Sequence, residues 1–499
     1  MNKKQAIGLI TGLVSFVTIL VFAELDSTNP DITKMAAVAV LMAILWITEA
    51  IPLAATSLIP LIMFPFLSIL SGEEIAASYI NSVIFLFLGG FLIAIAMESW
   101  DLHKRIALKI ITIFGGTPNS IIIGFMFAAA FLSMWISNTA TAVMMLPIAL
   151  SVIMKMEEEF GKEKTANFSK SLLLAIAYAC SIGGLSTLIG TPPNLALVRI
   201  YKIIYPEAPE ISFGSWMLLG LPIALIMLVF ASLLITKIFF KVDKSVLIDR
   251  KFILTEYKKL GRPAFEEKIV GAVFILTALL WIFRTELNLG FIRITGWSTI
   301  FNVPSYIDDG TVAITMAFLL FIIPSKNRSS KTSILDFKSF EQIPWSIILL
   351  FGGGFALASG FTSSGLSAYI GNQLGVLDGY NLIIIITAVA FTMNFLTELT
   401  SNTATTQMIL PILAAVSIAI GVHPLLLMIT ATISASMAFM LPVATPPNTI
   451  IFASRRIRVI DMVKAGFSLN ITGVIIVVIL VYIIGNYIFD FNTFPDWAK

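Results

Sequence analysis

The chain has one cysteine, Cys180, in 499 residues, and two histidines, His103 and His423. A single cysteine excludes an internal disulfide framework and any zinc site built on several thiolates. The histidines form no HExxH pair, so a His-ligated metallohydrolase is not expected. No GxxxxGK[ST] loop occurs, which argues against a built-in ATPase motor. Charge is scarce too: Asp, Glu, Lys and Arg make up 12% of the residues, against 58% hydrophobic. A soluble chain of this length cannot bury so much apolar side chain, and the composition is that of a polytopic membrane protein.

Apolar runs separated by charged or Pro/Gly-rich joints give about eleven helical spans. They fall near 6–23, 34–50, 53–70, 82–99, 171–198, 215–236, 266–283, 310–324, 345–366, 425–453 and 465–489. Two further stretches, 110–153 and 381–419, each place two apolar arms around a central polar break, the pattern of a re-entrant hairpin. Ile7–Phe22 follows Lys3 and Lys4 and reads as an uncleaved first helix rather than a signal peptide ending near Ala23. With the N-terminus inside, segments 1–5, 100–109, 155–170, 237–268, 325–343 and 454–464 carry 26 of the 32 Lys and Arg residues. Lys34, Arg199, Lys202, Arg284, Arg293 and Lys499 remain outside. That bias is the positive-inside signature, and it predicts an N-in, C-out chain. No organelle-targeting extension is evident, which points to a bacterial cytoplasmic membrane.

Polar residues recur inside this apolar sequence as a repeated phrase. Ser137-Asn138-Thr139-Ala140-Thr141 leads to Leu146-Pro147-Ile148, and Ser401-Asn402-Thr403-Ala404-Thr405 leads to Leu410-Pro411-Ile412. Nine of the twelve positions are identical. Each phrase has a companion, Gly190-Thr191-Pro192-Pro193-Asn194 and Ala444-Thr445-Pro446-Pro447-Asn448. The offset that carries Ser137 onto Ser401 also aligns Gly89-Gly90-Phe91 with Gly353-Gly354-Phe355. The offset from Thr191 to Thr445 is slightly shorter, a difference that fits the charged loop Lys155–Lys170 of the first half. Under the charge-derived topology the first Gly-Gly-Phe span runs inward and its mate outward. The expected organisation is an N-terminal helix (1–32), a first inverted repeat (33–236), a cytoplasmic linker (237–262) and a second inverted repeat (263–499).

Hydroxyls, amides and helix-breaking prolines are costly in lipid unless they line a site. Ser133 lies four residues before Ser137, and Thr397 four before Ser401, so each pair sets two oxygens on one helix face just before a polar tip. Asn138 and Asn402 add carbonyl oxygens and N–H donors. The double prolines remove backbone donors and free carbonyls, and helix N-termini beside the breaks favour negative charge. An isolated copy would read as a helix cap or a kink. Two matched copies read as a binding site for a small anion together with a hard cation such as Na⁺.

These residues resemble the divalent anion/Na⁺ symporter family, whose members carry dicarboxylates, citrate or sulfate. The resemblance covers essentially the whole chain and is most specific at the two Ser-Asn-Thr motifs, at Gly190–Asn194 and Ala444–Asn448, and at Thr397-Glu398-Leu399-Thr400. It implies two oppositely entering hairpins, two helices broken at Thr-Pro-Pro, a homodimer and elevator-type movement of a transport domain against a scaffold, each assembled from both repeats. It further implies one cation site from Ser133, Ser137, Asn138 and the Gly190 carbonyl, and another from Thr397, Asn402 and the carbonyls of Thr400 and Ala444. Substrate carboxylates would meet Ser137, Asn138, Thr139, Thr191, Pro192, Ser401, Asn402, Thr403, Thr445 and Pro446.

The expectation is therefore a secondary active carrier of small dicarboxylates such as succinate, malate, fumarate or 2-oxoglutarate. Na⁺ symport and dicarboxylate exchange both remain open, because the presence of the motifs does not establish coupling; no Lys or Arg lies within the four motif stretches to act as counter-charge to a dianion. Citrate or sulfate is the rival substrate, an ion channel with the hairpins as pore loops is the rival class, and a membrane enzyme is the weakest reading. No prosthetic cofactor or nucleic-acid partner is expected. Glu398 is a functional candidate as an intramembrane carboxylate, or else a hydrogen-bonding anchor for the second hairpin. Glu49 is expected to end a span at the inner interface, and His103 to sit on a solvated interfacial face. Arg455, Arg456 and Arg458 are expected to mark the inner interface, with attraction of anions to the entrance as the other reading.

Overall fold

The computed structural model describes residues 3–114, 116–242, 250–288, 292–327, 332–377 and 379–498. The expected linker 237–262 lies partly outside the described residues, at 243–249, as does Lys499. Helices dominate, and the one β-sheet among the described residues is a two-stranded antiparallel ribbon pairing Leu287–Asn288 with Arg293–Ile294. In chain order the principal helices of the first half are α1 (Lys3–Phe22), α2 (Pro30–Thr48), α3 (Ser82–Ser99), α4 (Leu102–Phe114), α5 (Pro118–Ser133), α6 (Asn138–Phe160), α7 (Lys162–Gly184), α8 (Pro192–Ile204) and α9 (Phe213–Leu233). The second half has α10 (Phe265–Ile282), α11 (Asp309–Ile322), α12 (Trp345–Ser363), α13 (Leu366–Leu374), α14 (Leu382–Leu396), α15 (Asn402–Ala419), α16 (Pro424–Ala435), α17 (Pro446–Phe452) and α18 (Val459–Leu480).

Elements recur at the offsets of the sequence repeat. The starts of α4, α5 and α6 fall on those of α13, α14 and α15 when Ser137 is laid on Ser401, and the start of α8 falls on that of α17 when Thr191 is laid on Thr445. The starts are fixed locally. Thr117 and Asn381 cap α5 and α14, while Ser137 and Ser401 accept from the backbone N–H groups of Ala140 and Ala404 at the starts of α6 and α15. Prolines open α8 and α17, where their missing N–H costs nothing.

Eight helices among the described residues have the length and apolarity to cross a membrane. The apolar run 53–70 is not one continuous helix. It breaks into Leu53–Thr56 and Ile59–Phe66, with prolines at 52, 60 and 65 and Ser68 in the left-handed region at φ 60°. The start of 110–153 likewise separates, since α4 is an independent amphipathic helix that ends at Phe114, before the Thr117 cap of α5. On it His103 is half-buried, its Nδ1 2.9 Å from the Met97 carbonyl, and so is less solvated than its basic surroundings predict.

The core runs through both halves. From Leu172 to Gly184 every residue of α7 is buried, as is every residue of α16, so these two helices have no lipid-facing stripe. By contrast α1 buries only Gly8 and Gly12 and lies along α2. Ion pairs tie the halves together at the charged end: Arg456 bonds to Glu157, and Asp461 receives both Lys170 and Arg458 at 3.0 Å. Arg455 beside them is exposed.

Helices α3 and α11 meet at Gly89, where an added Cβ would lie 2.5 Å from the Ala313 backbone. Gly89→Val is expected to destabilise the bundle by about 1–3 kcal/mol through overpacking, read as a lower melting temperature of the detergent-purified protein. An unchanged melting temperature would contradict the packing described.

Candidate functional site

Both polar tips and both helix breaks meet around one cavity of about 750 Å³. Every candidate anion-binding residue lines it: Ser137, Asn138 and Thr139 from the first tip, Ser401, Asn402 and Thr403 from the second, Thr191 and Pro192 from one break, Thr445 and Pro446 from the other. Gly190, Thr400 and Ala444 line it as well. Ser133 and Thr397 do not reach the cavity, and both are fully buried beneath the tips. Phe87, Phe91 and Trp135 supply apolar wall.

The breaks themselves are built alike. Residues 185–191 and 436–445 are non-helical, so their peptide groups need partners that a helix would have supplied. Asn194 donates from Nδ2 to the carbonyls of Gly184 (3.2 Å) and Thr187 (2.7 Å). Asn448 does the same to Ala438 (3.3 Å) and Leu441 (3.0 Å), which are the repeat counterparts of Gly184 and Thr187. Each asparagine thus clasps its break from the first turn of the following helix. Sequence reasoning assigned roles to the threonines and prolines of these motifs and missed the asparagines. Their position closing a twice-repeated motif was the available signal.

The first tip sits tightly on its break. Gly184 leaves room for the Asn138 side chain, because a Cβ on it would fall 2.7 Å from Asn138 Oδ1, and a Cβ on Gly190 would fall 2.5 Å from the Gly184 carbonyl oxygen. Ser133 Oγ donates to the Cys180 carbonyl at 2.7 Å and is also bonded to Asn138. With its amide turned to satisfy both ends, Asn138 donates from Nδ2 to the carbonyls of Cys180 (3.1 Å) and Gly190 (3.2 Å). In the opposite orientation Oδ1 joins Ser133 Oγ and those two carbonyls. That is an all-oxygen cluster suited to a hard cation. At the second tip Asn402 Oδ1 is buried without a partner among the described residues, beside Thr400, whose Oγ1 accepts from or donates to Thr405 Oγ1 at 2.7 Å. Thr397 Oγ1 donates to the Asn394 carbonyl at 3.1 Å. An unsatisfied amide oxygen beside a broken helix also fits a cation. The residues present therefore suit Na⁺ at both tips.

The two halves differ in how each tip is joined to its break. Glu398, 3% exposed, accepts from the backbone N–H groups of Phe439 (2.7 Å), Met440 (2.9 Å) and Leu441 (3.0 Å) and from Asn470 Nδ2 (2.7 Å). The carboxylate pins the second tip to its break. Its first-half counterpart is Met134, where a neutral link serves: Thr187 Oγ1 donates to the Met134 carbonyl at 2.5 Å. Trp216, which matches Asn470 at the offset of the Pro-Pro motifs, donates from Nε1 to the Leu185 carbonyl of the first break. Of the two readings of Glu398, the anchor is the one its partners describe.

The helical bundle thus gathers two polar tips and two clasped breaks around one cavity, and the comparisons with known proteins place it among membrane transporters. Residues 3–490 match the family model described as the sodium:sulfate symporter transmembrane region, and the chain belongs to that family. It is similar to the sodium-dependent dicarboxylate transporter SdcS of Staphylococcus saprophyticus, with 43% identity over 486 residues, 96% of this chain and 91% of the relative. SdcS of Staphylococcus aureus strain MRSA252 is 44% identical over 485 residues, with the same shares covered. Among solved structures, Neisseria gonorrhoeae MtrF, of a class of antimetabolite efflux pumps, superposes with a TM-score of 0.55 at 13% identity over 94% of this chain and 96% of that one. The Alcanivorax borkumensis YdaH transporter gives 0.53 at 12% identity over 82% and 86%. At those identities the likeness is one of fold.

Glu398→Ala removes the acceptor of four buried donors, so a loss of roughly 3–5 kcal/mol of stability is expected. Glu398→Gln keeps one acceptor oxygen and should lose less. Melting temperatures of both purified variants check this, and wild-type values for Glu398→Ala would refute the clasp.

Proposed function

We propose that this protein is a Na⁺-coupled carrier of small dicarboxylates of the succinate, malate, fumarate and 2-oxoglutarate class. The observation that carries the reading is the meeting of all four repeated motifs on one cavity, with oxygen clusters suited to Na⁺ beneath anion-binding donors. The SdcS relatives are named sodium-dependent dicarboxylate transporters, which favours symport over exchange, dicarboxylate over citrate, and carriage over catalysis. Sulfate stays as the second substrate reading because the family model's description names it.

In this reading Na⁺ binds at Ser133, Ser137, Asn138 and the Gly190 carbonyl, and at Thr397, Asn402 and the carbonyls of Thr400 and Ala444. The positive charge so placed favours a dianion on the donors of Ser137, Asn138, Thr139, Ser401, Asn402 and Thr403, beside Thr191, Pro192, Thr445 and Pro446. The helix pairs α5–α6 and α14–α15 are re-entrant hairpins within inverted repeats 33–236 and 263–499, preceded by the helix of 1–32 and joined by the linker 237–262. Together with the broken helices they form the unit that slides, elevator-fashion, against a homodimeric scaffold. The chain lies in the cell membrane with its N-terminus cytoplasmic and its C-terminus outside, which the lysine and arginine distribution supports.

Uptake of labelled succinate into proteoliposomes tests this, with the Na⁺ gradient and internal dicarboxylate varied independently. Inward Na⁺ is expected to drive accumulation into empty vesicles. Uptake that ignores Na⁺ and needs internal dicarboxylate would establish exchange instead, and inhibition by sulfate at low concentration would favour the second substrate. Asn138→Ala and Asn402→Ala should each reduce uptake by about ten- to a hundredfold, the value of hydrogen bonds to a charged ligand, with the fold retained. Normal transport by both variants would sink the site assignment.

A further inference from the structure

The cavity wall carries two charged residues, neither of them in a repeated motif. Lys4, in the first turn of α1, and Glu49, which caps the end of α2, both line it, along with Ile47 and Leu53. Every other lining residue among those described is uncharged. Both charged side chains are exposed, and neither forms an ion pair with a described residue. They share one rim because α1 starts where α2 finishes: Gln5 Nε2 lies 3.5 Å from the Glu49 carbonyl. Glu49 is also held in the left-handed region, at φ 48°, with its N–H bonded to the Leu45 carbonyl. That backbone turns the chain off the helix at the mouth of the cavity.

Resting on the reading of this cavity as the substrate site, we propose that Lys4 and Glu49 are an entry pair of opposite charge that sets apparent affinity at one face only. Lys4 concentrates the dicarboxylate at the mouth. Glu49 concentrates the accompanying cation and opposes the anion. The tips supply no lysine or arginine, so the nearest fixed positive charge on the cavity wall is the one that α1 brings from outside the repeats. An exposed charge acts through water over a distance set by ionic strength, which makes its contribution salt-dependent. By the lysine and arginine distribution this face is the cytoplasmic one.

The test measures the KM for succinate at each face, in inside-out and right-side-out membrane vesicles, at constant Na⁺ with ionic strength raised by choline chloride. Lys4→Gln should raise KM about two- to fivefold at the face where α1 begins, at low ionic strength. Glu49→Gln should lower it by a similar factor while raising the Na⁺ concentration for half-maximal transport. Both shifts should shrink at high ionic strength and be absent at the opposite face. Wild-type KM values for both variants, shifts insensitive to ionic strength, or equal shifts at the two faces would overturn the proposal. A residue that merely anchors α1 would change protein yield and leave the salt dependence untouched. Asn138→Ala separates the two claims. If it transports normally at both faces, the site reading fails, whereas its inactivity alongside unaltered Lys4 and Glu49 variants rejects the entry pair alone.

Discussion

A helix interrupted inside an apolar bundle leaves N–H and C=O groups without their helical partners, and the rest of this structure depends on how two such interruptions are closed. Each unsatisfied group costs several kcal/mol in lipid. The chain answers with an amide from the following helix, Asn194 in one half and Asn448 in the other, each binding two carbonyls across its own break. Once clasped, the breaks expose further carbonyls and helix N-termini to the tips opposite. The same departure from helical geometry that endangers stability thereby creates polar character where a binding site needs it.

The two halves solve the closing problem with different chemistry. In the first, neutral donors suffice: Thr187 reaches the Met134 carbonyl and Trp216 reaches the Leu185 carbonyl. In the second, Glu398 gathers three consecutive N–H groups and the Asn470 amide. That carboxyl group is held by four hydrogen-bond donors and by no basic partner among the described residues.

What the sequence disclosed, and what it withheld, follows from the range of the interactions. The repeated Ser-Asn-Thr and Thr-Pro-Pro phrases were legible because each is a local device, a cap or a break, whose residues are contiguous. Their constant offsets foreshadowed helices that start at matching positions in the two halves. Glu398 was visible as an anomaly, yet its purpose was not, because its partners lie 41 to 43 and 72 residues onward. Hydropathy joined 53–70 into one span, as apolarity outweighs proline in such a reading, yet the chain forms two short helices, Leu53–Thr56 and Ile59–Phe66, with Pro60 in the first turn of the second. The charged rim was invisible for a different reason. Lys4 and Glu49 belong to segments with no repeat counterpart in the motif phrases, and only the packing of α1 on α2 brings them to the cavity.

The central claim is that Na⁺ and a dianion share one site and stabilise each other there. Linkage makes that claim measurable at equilibrium, because a cation that favours anion binding must itself be favoured by the anion to the same extent. Calorimetric titration of the purified protein with succinate, over a series of Na⁺ concentrations at fixed ionic strength, tests it most directly. The account predicts a succinate Kd that falls steadily as Na⁺ replaces choline, and a matching gain in Na⁺ affinity when succinate is present. A succinate Kd independent of Na⁺ would contradict it.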